Sequence, residues 1–207
     1  MKTKERIIQT ALHLFNEEGE PNVTTNHIAD EMDISPGNLY YHFRSKDDII
    51  WQIFLNYESK IKKILNQKDV NHTSMEDMWL YLHMIFEVIG EYRFLYRNLI
   101  QLMNRIDYLK RHFRHILALK SQTALSIMTQ LADDGLLNAD ETTIASLADQ
   151  IALTATFWLN YSIAIYDDDF DEEKKLSHGI FHVMRMVAPF LTENEKAILD
   201  ELSTQYL

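Results

Sequence analysis

The stretch from Thr24 to Lys46, TTNHIADEMDISPGNLYYHFRSK, constrains the fold more than any other part of the chain. Thr24 can N-cap a helix whose apolar positions Ile28, Ala29 and Met32 fall on one face, and Asp33-Ile34 gives a short break. A second helix then starts. Ser35 is a good N-cap, Pro36 takes the first helical position, where its missing N–H costs nothing, and Leu39 and Phe43 supply an i, i+4 apolar pair facing inward. The opposite face carries Gly37, Asn38, Tyr40, Tyr41 and His42, all able to touch a partner. Two short helices joined by a tight turn, the second bearing polar and aromatic groups outward, make the helix-turn-helix arrangement, in which the second helix enters the DNA major groove. A plain helical hairpin is the alternative, but it has no need of Ser-Pro at a helix start or of an exposed Gly-Asn followed by Tyr-Tyr-His.

These residues also resemble a known family. Thr24-Thr25 followed by Ile28-Ala29, then Gly37-Asn38-Leu39-Tyr40-Tyr41-His42-Phe43 and Lys46, are similar to the TetR family of bacterial transcriptional regulators, whose hallmark is a run of the form G-x-L-Y-x-H-F-x-x-K. The likeness covers about the first fifty residues; beyond residue 65 it extends only to the family's all-helical plan. The resemblance implies that Thr25 meets a phosphate, that Pro36, Gly37, Asn38 and Tyr40 approach bases, and that Tyr41, His42 and Lys46 hold the DNA backbone. Thr24, Asn26 and Ser35 complete the DNA-facing set, although Asn26 departs from the longer basic side chain of many relatives. The chemistry agrees, since hydroxyls, His and Lys donate to phosphate oxygens and small residues at a helix start permit close approach to base edges. His42 could instead bridge between helices, and Tyr40 could be largely packed.

With 207 residues, 46% of them apolar, the chain suits one small and one medium domain with a real core. Only five Gly and three Pro favour long helices with short connections over sandwiches or Gly-rich nucleotide folds. Lacking cysteine, it can form neither disulfides nor a thiolate metal site, which fits a reducing interior. No apolar run is long enough to span a bilayer, and Met1-Lys2-Thr3-Lys4 leads into an amphipathic helix rather than a signal peptide. The expectation is a cytoplasmic protein without membrane contact.

The net charge of −11 argues on its face against a nucleic-acid partner, and residues 1–50 alone hold five Lys/Arg against nine Asp/Glu, a balance of −4. Placement matters more than the sum. Lys2, Lys4 and Arg6 precede the first helix and Arg44 and Lys46 follow the recognition helix, bracketing the groove-facing surface, while Glu17, Glu18, Glu20, Asp47 and Asp48 can face away or cap helices.

In chain order, Ile7, Ile8, Ala11, Leu12, Leu14 and Phe15 repeat at helical spacing and Gly19 ends that helix. Ser45-Lys46-Asp47-Asp48 opens a connecting helix over 46–66, whose first turn would let Lys46 share a phosphate with backbone N–H groups. The polar stretch 66–73 marks a boundary between a DNA-binding domain, residues 1–50 with that connecting helix, and an all-helical effector-binding and dimerisation domain, 67–207. Helices are expected from a Ser74 cap to Gly90, from Tyr92 to Asn104, from about Ile106 to Asp134, from Asp140-Glu141 to the acidic run Asp167–Glu173, from about Glu172 to Leu191, and after a Thr192 cap. The fold class is all-α.

The helices near 141–166 and 172–191 carry more apolar surface than one small domain needs. A helix-turn-helix protein normally binds a pseudo-palindrome as a dimer, and by resemblance these helices pair with those of a twin subunit as a four-helix bundle; internal core is the alternative. The same domain would hold a sensor. Trp79, His83, Phe86, Tyr96, Met103, Phe113, Phe157, Trp158 and Tyr161 interleave aromatic, Met and polar groups that could surround a flat or aliphatic effector, or could simply be core. Arg93, Arg97, Arg105, Lys110, Arg111, Arg114 and Lys120 make 93–120 basic, which reads as a phosphate-bearing ligand site, as pairing with the acidic run, or as a solvated face. His112 with His115, and His178 with His182, have spacings that could pair at a metal, yet neither has an adjacent third ligand, so no metal and no cofactor is expected.

No nucleophile elbow, phosphate-cradling Gly loop or carboxylate dyad is present, which points away from an enzyme. The expected function is a dimeric repressor released from its operator by a small hydrophobic effector. The alternatives are a ligand-independent activator or global regulator of the same fold, and a helical binding module that never touches DNA.

Overall fold

A computed structural model describes residues 2–66, 74–166 and 171–206. Eleven α-helices are described: α1 Thr3–Leu14, α2 Thr25–Glu31, α3 Pro36–His42, α4 Lys46–Leu65, α5 Met75–Glu91, α6 Arg93–Arg97, α7 Leu99–Arg105, α8 Asp107–Asp133, α9 Glu141–Ile165, α10 Glu172–Val187 and α11 Glu193–Ser203. No strand occurs among the described residues, and no described helix is long and apolar enough to cross a membrane. The stretch 67–73, read as the boundary, and residues 167–170 of the acidic run lie outside the described residues.

The helix ends are set by side chains legible in the sequence. Thr24 Oγ1 accepts from the His27 N–H at 3.1 Å, Ser35 Oγ from Asn38 at 3.2 Å and Ser45 Oγ from Asp48 at 3.1 Å. Ser74 and Asp77 form a reciprocal capping box, and Asp140 accepts from the Thr143 N–H at 2.7 Å. Thr192, read as a cap, makes no capping bond with its side chain. The first helix does not run unbroken to Gly19. After Leu14 it widens into a π-helical turn, Phe15–Gly19, which buries Phe15 and Asn16, and Gly19 closes the turn at φ 82°. Pro189 converts the end of α10 to a 3₁₀ turn, Ala188–Phe190, so the helix stops short of Leu191.

The chain forms two compact units, 1–60 with 92–113 and 61–91 with 114–207, and the division falls within α4 and α8. Segment 92–113, read in the sequence as part of the larger domain, therefore belongs to the first unit. The first core joins Ile7, Ala11, Ile28 and Leu39 to Ile50, Ile53 and Phe54 of α4 and to Phe94, Leu102 and Leu109. Tyr57, Tyr96 and Phe113 are fully buried beside them, with the Tyr57 and Tyr96 hydroxyls hydrogen-bonded at 2.6 Å. Burial pushes both phenols up, so this pair is a neutral tie within the core. In the second unit α10 packs against α9 and α5, with Ile180, Val183, Met184 and Val187 buried along its inner face.

Candidate functional site

The turn between α2 and α3 fixes how α3 is presented. The Ile34 N–H donates to Ala29 O (3.0 Å) and the Asp33 N–H to Asp30 O (3.1 Å), a Schellman closure with Asp33 in the left-handed region at φ 53°. The Thr25 and Tyr40 hydroxyls are hydrogen-bonded at 2.9 Å, a second tie across the same two helices, while Leu39 is fully buried and Phe43 nearly so. With Leu39 and Phe43 inward, Pro36, Gly37, Asn38 and Tyr41 are exposed, Tyr41 to 84%. Tyr40 is 47% exposed, so its ring is reachable although its hydroxyl is engaged by Thr25. His42 is half-buried with its ring edge-on to Tyr41 at 5.1 Å, and Asn26, Thr24 and Ser35 are exposed.

Gly37 is informative because nothing among the described residues requires it. It lies in helical backbone, and a Cβ placed there would meet only Ser35 Oγ, at 3.9 Å. A helix normally prefers Ala to Gly by about 0.5–1 kcal/mol. The missing side chain thus has no explanation in the described packing around α3.

Lys46 has a different environment from the one expected of a phosphate contact. Its ammonium donates to Glu20 O (2.9 Å) and Val23 O (3.0 Å) and lies 2.8 Å from Glu20 Oε1, which also takes Arg105 Nη2 at 2.8 Å. The fully buried Glu20 draws Lys46 back across the turn before α2, so it clamps the unit from within. The basic stretch is likewise partly consumed inside the first unit: Arg93 pairs with Glu17, Arg97 donates to Asn16 O, and Arg105 also meets Asp47 at 3.0 Å. Glu17, Glu20 and Asp47 are thereby neutralised, leaving Lys2, Lys4, Arg6 and Arg44 exposed. The local balance of charge is less hostile to a polyanion than the formal sum suggests.

The nine expected ligand-contacting residues do not converge on one cavity. A cavity of about 40 Å³ lies in the second unit, lined chiefly by aliphatic and Met side chains with Tyr81 and Lys120, and none of the nine expected residues lines it. Tyr96 and Phe113 fill the first core. Trp79 and His83 hydrogen-bond the Tyr206 hydroxyl, Phe86 and Trp158 close over Gly179, and Met103 is half-buried away from the cavity. Phe157, Trp158 and Tyr161 line an open surface groove between α9 and α10. The aromatic rings pack on one another, and space is left where Leu, Met and Ala surround a buried lysine. Lys120 was legible as a cation on the apolar stripe Ile116, Lys120, Ala124, Ile127, Met128 and Leu131, a signal outweighed in the sequence by the surrounding basic residues. The histidine pairs are engaged singly, His112 with the Glu58 carboxylate at 3.0 Å, His178 with the Tyr166 hydroxyl at 2.9 Å and His182 over the Trp158 ring at 4.6 Å.

A capped second helix, tied to the first at a closed turn and exposing its N-terminal face, defines a helix-turn-helix protein. The family model described as "Bacterial regulatory proteins, tetR family" matches residues 7–53, and that described as "Bacterial transcriptional repressor" matches residues 56–199. A solved TetR-family transcriptional regulator from Marinobacter aquaeolei VT8 is 33% identical, with 100% of this chain and 99% of that one covered at a TM-score of 0.89. A putative transcriptional regulator from Saccharomonospora viridis, solved in complex with choline, shares the fold at 15% identity and a TM-score of 0.71, over 92% of this chain and 98% of that one. An HTH-type transcriptional regulator of Staphylococcus aureus (strain bovine RF122 / ET3-1) is 34% identical over 79 residues, 38% of this chain and 43% of the relative, so the match spans less than half of that protein. The chain belongs to the TetR family of bacterial transcriptional regulators.

Proposed function

We propose that the protein is a dimeric repressor that reads a pseudo-palindromic operator in double-stranded DNA through α3 and leaves it when a small molecule binds the second unit. The observation that carries the DNA reading is the exposed, packing-free Gly37 at the start of a capped helix. Close approach there lets Pro36, Gly37 and Asn38 reach base edges, with Tyr40 beside them; Thr25, Tyr41 and His42 hold phosphates, and Thr24, Asn26 and Ser35 flank the contact. Lys46 positions this surface through Glu20 and joins the phosphate contacts only where that clamp is relaxed.

Dimer formation is supported by the outer side of α9, where Leu153, Tyr161 and Ile165, spaced eight and four residues apart, are each about half exposed. An apolar row of this kind suits a four-helix bundle made by α9 and α10 of two copies. An effector favouring the state whose two α3 helices are wrongly spaced would release DNA by population shift. Choline bound to the Saccharomonospora viridis relative supports a small-molecule site in this fold, though not the same ligand.

Gly37→Ala separates reading from folding because the two effects have opposite signs. The variant is expected to be more stable by about 0.5 kcal/mol, the helix-propensity gain at an open site. It should bind an operator selected from random duplexes about tenfold more weakly, on the order of 1.4 kcal/mol. Asn38→Ala should instead change which bases are preferred. Unchanged affinity for both variants, measured by fluorescence anisotropy, would remove α3 as the reading element.

A further inference from the structure

We propose that Lys4, in the first turn of α1, is a DNA-backbone contact, filling beside α3 the place that Glu20 keeps Lys46 from taking. The proposal rests on the reading of α3 as the groove-facing helix and adds a cation from outside the helix-turn-helix.

The two lysines are held with very different strength. Lys46 donates to two carbonyls and to the carboxylate of the fully buried Glu20, and pulling a cation out of such a site leaves a core charge poorly compensated. Lys4 is exposed, and its ammonium lies 5.3 Å from the centroid of the Phe43 ring. A cation–π contact at an exposed site is far weaker than a buried, hydrogen-bonded ion pair. A phosphate can therefore take Lys4 without disturbing the fold, whereas taking Lys46 means opening the Glu20 clamp.

Position favours the same residue. Phe43 is the C-cap of α3 and directly follows His42, so the ring places the Lys4 cation at the end of the recognition helix, beside the residues assigned to the phosphates. The contact also orders a long side chain before DNA arrives, which lowers the entropy lost on binding. Charge agrees. Among the described residues no carboxylate pairs with Lys4, and the acid next to it in the chain, Glu5, accepts from the Lys2 N–H at 3.1 Å within the α1 capping box. Lys2 and Arg6 are exposed nearby, and the positive end of the α1 dipole adds to their field.

The test is the salt dependence of DNA affinity, read by fluorescence anisotropy with the full chain between about 50 and 200 mM salt. Lys4→Met keeps an unbranched apolar chain beside Phe43 and removes the charge. It should lower the slope of log affinity against log salt by about 0.9 for each chain bound, which at about 0.1 M salt is about eightfold weaker binding per chain. The loss should be the same on a selected operator and on an unrelated duplex, because a phosphate contact carries no sequence information. Lys4→Gln, a second neutral side chain, should behave alike, and Lys4→Arg should keep the parent slope. Lys174→Met removes the same charge from an exposed position on α10 and should leave the slope unchanged. An unchanged slope in both neutral Lys4 variants, an equal loss in Lys4→Arg or in Lys174→Met, or a change of preference between the duplexes would each overturn the proposal. Gly37→Ala and Asn38→Ala separate it from the reading on which it rests. Binding indifferent to both overturns the α3 reading and this contact with it, whereas binding that responds to them while the Lys4 variants keep the parent slope overturns this contact alone.

Discussion

Glu20→Ala is expected to destabilise the first unit by about 3 kcal/mol, the low end of the cost of removing one partner from a buried ion pair. Glu20 is fully buried, and its Oε1 holds both Lys46 and Arg105 at 2.8 Å. Without the carboxylate, Lys46 keeps only the Glu20 and Val23 carbonyls, and the two cations face each other across a small void. The estimate stays at the low end because the side chains of Lys46 and Arg105 are 24% and 40% exposed and keep some hydration. Glu20→Gln keeps the hydrogen-bond acceptor without the charge and should fall between the two. Urea unfolding followed by circular dichroism reads the loss as a lower midpoint at unchanged slope. A wild-type midpoint for Glu20→Ala would mean that this hub contributes no stability.

Gly179→Ala is expected to destabilise the second unit by about 2 kcal/mol, even though Ala is the better helix former. A Cβ on Gly179 would lie 2.6 Å from Trp158 Cδ1 and closer still to Phe86 Cε1, and both rings are buried. Overpacking of this kind costs about 1–3 kcal/mol and sometimes more, against a helix gain of at most about 1 kcal/mol. Trp158 is further fixed by donating its indole N–H to Lys175 O, so it cannot swing aside without losing that bond. Gly90→Ala is the control, because its Cβ would meet only the flexible end of Leu176. That variant should melt at or above the parent temperature. Equal melting of the Gly179 and Gly90 variants would refute the close packing of α10 on Phe86 and Trp158.

How much was legible in the sequence depended on the range of the interaction. The caps at Thr24, Ser35, Ser45, Ser74 and Asp140 act within three residues, and so did the signals that placed α2, α3, α4, α5 and α9. Gly19 was readable for the same reason, since it closes a helical turn at positive φ. The Lys46 clamp was not legible because its partners Glu20 and Val23 lie 26 and 23 residues away, outside any local window. The assignment of α6 and α7 to the first unit rests on pairs as distant as Arg105 with Glu20, which no periodicity announces. Large rings fill space among themselves, and the cavity lies beside smaller aliphatic side chains and Lys120, a placement set by packing between helices rather than by residue type. The exposed face of α3 could be read in advance because inward and outward residues there alternate with the helix period.

The claim on which the functional reading depends is that two outward α3 helices, one from each of two copies, engage one duplex together. The most direct test is the affinity and stoichiometry of binding to a selected two-site operator, compared with the same duplex lengthened between its half-sites by about five base pairs, half a helical turn. Two chains per duplex and a collapse of affinity on lengthening are the predicted results; one chain per duplex, or equal affinity for both duplexes, would contradict the account.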